Sequence, residues 1–202
     1  MKKVRLTITM LFAAWSLAGT GGAFADNGTV AGKVKVIKSE RKKVRLYTPI
    51  NTPVSVAMID ADGNVLYQGQ VAAKNGSGMS FNMKSLPDGQ YFITATNDTF
   101  WLSQALTVRG DELIISEKSV SQLDKPTLTP YAKNKFEVTV PATNLRSVNV
   151  AIYNQQNDLV FSDELKAANA RRFDLNTLPA GAYTFVVGPE QKKFAEQIQI
   201  LH

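Results

Sequence analysis

Apolar residues in the first half of the chain recur with a period of two. Val54, Val56 and Met58 alternate with Ser55 and Ala57, the spacing of a strand that buries one face. Asp62-Gly63-Asn64 follows, and Gly63 supplies the positive φ of a hairpin turn. Phe81 and Met83 fall on one face of a later strand. Pro87 presets φ for the next turn and Gly89 completes it. Tyr91, Ile93 and Ala95 then share an inward face, and Leu102, Leu106 and Val108 mark a further strand. Turn signals fall roughly every ten residues, the rhythm of a β-sandwich.

The pattern then recurs. Val54-Ser-Val-Ala-Met-Ile59 matches Val148-Asn-Val-Ala-Ile-Tyr153 at an offset of 94. Val65-Leu-Tyr67 matches Leu159-Val-Phe161 at that offset, and so do Val44 and Leu46 with Val138 and Val140. A two-residue length change brings the offset to 92. Phe81 and Met83 then match Phe173 and Leu175, and Leu102, Leu106 and Val108 match Phe194, Ile198 and Ile200. Between them Leu86-Pro87-Asp88-Gly89-Gln90-Tyr91 matches Leu178-Pro179-Ala180-Gly181-Ala182-Tyr183. Asn157-Asp158 takes the place of the Gly63 turn, since Asn tolerates that backbone region. Matches in one order along both segments mean one supersecondary unit used twice. The expected fold is all-β, two tandem Ig-like antiparallel β-sandwich domains. The first spans 26–116 with a basic N-terminal segment and the second 131–202. Residues 117–130 are polar, and Pro126 and Pro130 mark them as an extended linker. Leu113-Ile114-Ile115 is either a last strand of the first domain or a packed part of that linker. Asp163–Arg172 is read as a strand end followed by a polar loop.

The N-terminus carries an export signal. Lys2, Lys3 and Arg5 precede an apolar run from Leu6 to Ala18, and the next segment ends in Ala23-Phe24-Ala25. This is the order of a secretory signal peptide over residues 1–25, cleaved before Asp26. The run falls short of the roughly 18 apolar residues a membrane span needs. The expected location is the periplasm, the outer-membrane surface or the extracellular space. The chain has no cysteine, and its one histidine is His202. Thiol chemistry, disulfides, a buried histidine base and a Cys- or multi-His metal site are therefore excluded. No cofactor, metal or catalytic residue is assigned. Without disulfides, apolar burial must hold small exported domains, so filled cores are expected rather than a large cavity.

Charge is unevenly placed. The net charge of +6 conceals seven basic residues between Asp26 and Arg45, set against Asp26 and Glu40 alone. Residues 46–202 hold 13 basic and 15 acidic side chains. Lys33, Lys35, Lys38, Arg41, Lys42, Lys43 and Arg45, interleaved with Val34, Val36 and Ile37, form the candidate basic patch. One reading is a strand whose lysines guard a sheet edge. The sharper reading is attraction to anionic glycan, lipopolysaccharide or phospholipid headgroups. Nucleic acid is not an expected partner, because no aromatics interleave as stacking platforms.

The second repeat has a more specific order. A Val-x-Val-x-Ile-Tyr strand leads through an Asn/Asp turn to Leu159-Val-Phe161. Phe173-Asp-Leu175, then Leu178-Pro-Ala-Gly-Ala-Tyr183, then Lys192-Lys193 and a closing Ile198-Gln-Ile200 follow. Over residues 135–201 this resembles the C-terminal sorting domains of type IX secretion cargo in Bacteroidetes. Leu-Pro-x-Gly-x-Tyr also occurs in small secreted Ig-like repeat proteins of these bacteria. The resemblance implies an Ig-like sandwich and contact with the type IX secretion machinery. In that family the domain follows a larger passenger, whereas here a short basic segment and the first repeat precede it. Either the first repeat is the passenger or the fold serves without sorting. The reading preferred on sequence is an exported, non-catalytic binding or structural module of the cell envelope, with glycan, lipopolysaccharide or another protein as partner. The alternative is a type IX substrate whose C-terminal domain is a sorting signal.

Other constellations are read by the chemistry they would support. Asp60-Ala61-Asp62-Gly63-Asn64 starts like an EF-hand loop, but position twelve is Val71, so that reading fails. Asp60, Asp62 and Asp88 are carboxylates of the type a glycosidase uses. Their counterparts are Asn154, Gln156 and Ala180, so the fold does not depend on them, and no enzyme is expected. Phe100 and Trp101 stand where the second repeat has Lys192 and Lys193. As exposed rings they would stack on a sugar or enter a partner pocket, and they are the candidate ligand-binding pair. The plainer reading has Trp101 covering a domain edge or packing on the linker. Arg109-Gly110-Asp111 reads as a turn after a strand.

Overall fold

The computed structural model describes residues 34–73 and 77–201. The signal segment, its cleavage point and Lys33 lie outside the described residues. All described elements are strands. They are β1 (Lys35–Glu40), β2 (Lys43–Thr48), β3 (Val54–Asp60), β4 (Val65–Val71), β5 (Ser77–Asn82), β6 (Gly89–Thr96), β7 (Phe100–Arg109) and β8 (Glu112–Asp124), followed by β9 (Thr127–Ala132), β10 (Lys135–Thr139), β11 (Ser147–Tyr153), β12 (Leu159–Lys166), β13 (Ala170–Asp174), β14 (Gly181–Gly188) and β15 (Phe194–Ile200). The chain divides into two compact units. One takes in residues up to Asn97 with Leu102–Val120, the other Asp98–Trp101 with Ser121 onward.

Each unit has two sheets with the same order of strands. In the first they are β1-β2-β5 and β4-β3-β6-β7-β8. In the second they are β9-β10-β13 and β12-β11-β14-β15. The ladders are antiparallel, with β3 central between β4 and β6 and β11 central between β12 and β14. The larger sheet of the first unit has one strand more, because β8 continues beyond β7.

The alternating residues are the cores. Val44, Leu46 and Phe81 from the small sheet and Val54, Val56, Met58 and Ile93 from the large one are all buried. In the second unit Phe136, Val138 and Phe173 pack with Val150, Ile152 and Phe185 in one apolar cluster. Each fully buried side chain of this size contributes roughly 1.5–3 kcal/mol. The aromatic contacts correspond across the units. Tyr67 meets Phe81 edge-on at 5.5 Å, and Phe161 meets Phe173 edge-on at 5.5 Å.

The Leu-Pro-x-Gly-x-Tyr spacing has a local cause. The tyrosine ring is carried into the core, and its buried hydroxyl needs an acceptor. Tyr91 Oη donates to the Pro87 carbonyl at 2.9 Å, and Tyr183 Oη to the Pro179 carbonyl at 3.0 Å. The turn that proline starts is thus closed by the side chain four residues on.

Two local expectations change. Residues 117–130 are extended, but most of them are paired strand rather than bare connector. They complete β8 and begin β9, with a short break at Lys125–Pro126. Part of their polarity finds partners within the sheet. Buried Gln104 on β7 donates from Nε2 to the Ser116 carbonyl at 3.1 Å and to Ser119 Oγ at 2.8 Å. The polar loop placed within Asp163–Arg172 shrinks to Ala167–Asn169, where Ala168 adopts φ 58°.

Candidate functional site

The β1–β2 hairpin of the first unit holds the basic run. Its register sets Lys35 opposite Tyr47, Val36 opposite Leu46, Ile37 opposite Arg45 and Lys38 opposite Val44. A bulge follows, and Glu40 then faces Lys43. Val44 and Leu46 point into the core, so Lys35, Ile37, Arg45 and Tyr47 share the outer face. Arg41 and Lys42 form the turn. The Lys42 carbonyl accepts from Met83 N at 2.7 Å, which ties the hairpin tip to the end of β5. A Cβ at Gly78 on β5 would stand 2.7 Å from the Leu46 carbonyl oxygen and 3.4 Å from Arg45 Nε. Glycine there lets β5 lie close against the Leu46 carbonyl of β2.

This face combines uncompensated charge with exposed apolar surface. Ile37 is 50% exposed and Tyr47 37%. Among the described residues, only Lys43 of the six basic side chains has a carboxylate within ion-pair distance, Glu40 at 2.8 Å. The second unit pairs four of its cations with carboxylates. Lys135 meets Asp174 at 2.7 Å, Arg172 meets Glu137 at 2.8 Å, Lys125 meets Glu196 at 3.4 Å, and Arg171 pairs with Asp163. Arg171 also lies over the rings of Phe161 and Phe173.

Phe100 and Trp101 do not form an exposed aromatic pair. They are 0% and 4% exposed, and Leu102 beside them is 2% exposed. Three consecutive buried residues require that both faces of the strand be covered. Trp101 belongs to the apolar cluster of the second unit, with Leu123. The expectation that solvent wets this strand start came from Lys192 and Lys193, which have other surroundings. Lys192 Nζ stands over the Phe194 ring at 5.1 Å, and Lys193 Nζ donates to the Gly188 carbonyl at 3.1 Å.

The candidate carboxylates hold turns. Asp60 Oδ1 accepts from Asp62 N at 3.0 Å and Asn64 N at 2.8 Å, and Asp60 Oδ2 accepts from Asn64 Nδ2 at 2.9 Å. The Asn64 side chain and these backbone N–H groups hold the Asp60 carboxyl below its usual range. The second unit builds the same turn with the groups exchanged. Asn154 Oδ1 accepts from Gln156 N and Asp158 N, and Asn154 Nδ2 donates to Asp158 Oδ2 at 3.0 Å. The turn needs one amide and one carboxylate, and their order is free. Asp88 Oδ1 accepts from Gly110 N at 2.8 Å, so Arg109-Gly110-Asp111 is the β7–β8 turn with Gly110 at φ 53°. Among the described residues, no group of three or more His, Asp or Glu side chains could hold a metal ion. No described helix is long and apolar enough to cross a membrane.

One residue that periodicity passed over organises the end of the second unit. Asn134, in the β9–β10 turn, is buried at φ 55°. Its Nδ2 donates to the Leu201 carbonyl at 2.7 Å, and its Oδ1 accepts from Leu201 N at 3.1 Å. The only signal in the sequence is an Asn placed where a short turn wants positive φ. A groove of about 400 Å³ runs beside this clamp, lined by Leu128, Phe136, Ile198 and Leu201.

Comparison with known proteins bears on the second unit. Residues 130–201 match the family described as Secretion system C-terminal sorting domain, and they hold β10 to β15 with the second half of β9. No curated protein matches the chain. Solved structures similar to the chain include the BSP domain of a biofilm-associated protein, at 15% identity and TM-score 0.29. The match covers 85% of this chain but 29% of that one. A two-domain fibronectin type-III segment of chicken tenascin is similar at 9% identity over 82% of this chain and 97% of that one, with TM-score 0.31. Domains 3 and 4 of rat CD4 are similar at 12% identity over 81% and 97%, with TM-score 0.33. The chain is all-β with Ig-like sandwich units, as its strand order and core packing require.

Proposed function

We propose that this protein is a type IX secretion substrate delivered to the cell surface or extracellular space, with residues 130–201 as its sorting domain. The match of that segment to the sorting family carries the reading. In this scheme residues 1–25 are a signal peptide that takes the chain to the periplasm. The first sandwich, 26–116, is the passenger, and the boundary falls within 117–130. The passenger is a non-catalytic contact module. Support for the last point is that Asp60 and Asp88 spend their carboxylates on backbone N–H groups. The cause of the Asp60 shift also favours the charged form, the wrong direction for a general acid.

The full-length protein is the right reagent for the test. It should be expressed in a bacterium with a working type IX system and in an isogenic strain lacking it. Surface or medium localisation in the first strain and periplasmic retention in the second is the expected result. The same compartment in both strains would overturn the sorting role and restore the reading of a resident envelope module.

A further inference from the structure

We propose that the outer face of the β1–β2 hairpin docks on an anionic lipid surface, with Lys35 and Arg45 meeting headgroup phosphates and Ile37 entering the interface between them. The proposal deepens the contact role given to the passenger and depends on export only for where that surface would lie. Three observations carry it. First, charge is segregated: residues 34–45 hold six basic side chains against Glu40, whereas residues 46–202 are net acidic. Second, Lys43 alone among those six has an ion-pair partner within the described residues. An anion from outside therefore has little internal competition to displace. Third, the cations alternate with exposed apolar groups through the cross-strand pairs Lys35–Tyr47 and Ile37–Arg45. Edge protection alone is served by lysines and a bulge, and it does not call for a half-exposed isoleucine among them.

The pairing favours lipid over an acidic polysaccharide. A soluble polyanion gains from the cations but finds no use for an aliphatic side chain. A bilayer interface uses both, with phosphate for the cations and the acyl boundary for Ile37, while a tyrosine such as Tyr47 suits the headgroup level. The strands hold the backbone of these residues in a fixed array, so little main-chain order is lost on docking. Each Lys or Arg near an anionic leaflet contributes about a fivefold gain in partition.

The test uses the chain from Asp26 onward with phosphatidylcholine vesicles, with and without phosphatidylglycerol, in a sedimentation assay. The expected result is binding only with phosphatidylglycerol, weakened by high salt. Lys35→Gln with Arg45→Gln should weaken it about 25-fold, and Ile37→Ser about fivefold. Circular dichroism and melting of each variant report whether the fold is intact, since all three positions lie on the outer face. No binding to the anionic vesicles, or binding unchanged in the intact double variant, overturns the proposal. Ile37→Ser binding like the parent, with polygalacturonate competing at equal charge, would assign the face to acidic glycan instead. None of these outcomes touches localisation, so the sorting role stands or falls separately.

Discussion

Replacing Asn134 with Ala removes the clamp on the end of β15. Two well-formed hydrogen bonds to Leu201 are lost, at 2.7 and 3.1 Å, and each is worth about 1 kcal/mol net. Asn134 also sits at φ 55°, where Ala costs about 1 kcal/mol more than a residue suited to the left-handed region. The sum is about 3 kcal/mol, drawn from the second unit alone. Asn134→Gly loses the same bonds without the backbone penalty, so its cost is about 2 kcal/mol. Trp101 is the only tryptophan after residue 25 and lies in the core of this unit. Its fluorescence during urea unfolding therefore reads the correct part of the chain. Order matters as much as size: parent, then Gly, then Ala. Asn134→Ala within about 0.5 kcal/mol of the parent, the range of ordinary surface changes, would refute the clamp. Gly less stable than Ala would refute the backbone argument.

Two further outcomes follow from the packing and the turns. Trp101→Ala should destabilise the second unit by about 3–5 kcal/mol, as large aromatic-to-alanine changes in cores do, when unfolding is followed by far-ultraviolet circular dichroism. A loss under about 1 kcal/mol, typical of exposed positions, would return this ring to the surface. Asp60→Asn combined with Asn64→Asp should melt like the parent, because Asn154 and Asp158 already show the exchanged turn, whereas Asp60→Asn alone should melt lower. The Asp60 pKa is depressed by folding, so its support is present above the unfolded value near 3.8. It is lost as pH falls through the lower folded value. The single variant should lack that acid limb in a melting-against-pH series.

Local rules account for much of this chain. Alternation named the inward residues Val54, Val56 and Met58 and their counterparts, because a strand's side chains must alternate whatever lies beyond it. Gly63, Asn157 and the Pro87 and Pro179 turns were legible for a similar reason: their backbone demands are met within a few residues. The order of features in the second repeat was equally readable, and the sorting-family match falls on it. The spatial neighbours of each residue were not readable, since they come from distant parts of the chain. Trp101 and its partner Leu123 are buried because residues 98–101 and 121 onward pack into the second unit, and strand periodicity carries no information about that cover. The polar stretch after Ser116 continues as strand in the sheet beside β7, and Ser119 within it meets Gln104, fifteen residues back. Asn134 acquired its role from Leu201, 67 residues away. The basic run shows the division within one hairpin. Its charge and its β pattern were plain in the sequence. Only the register put Ile37 beside Arg45 on the outer face and left most of those cations without carboxylate partners, because cross-strand pairing is set by how the whole sheet closes over its core.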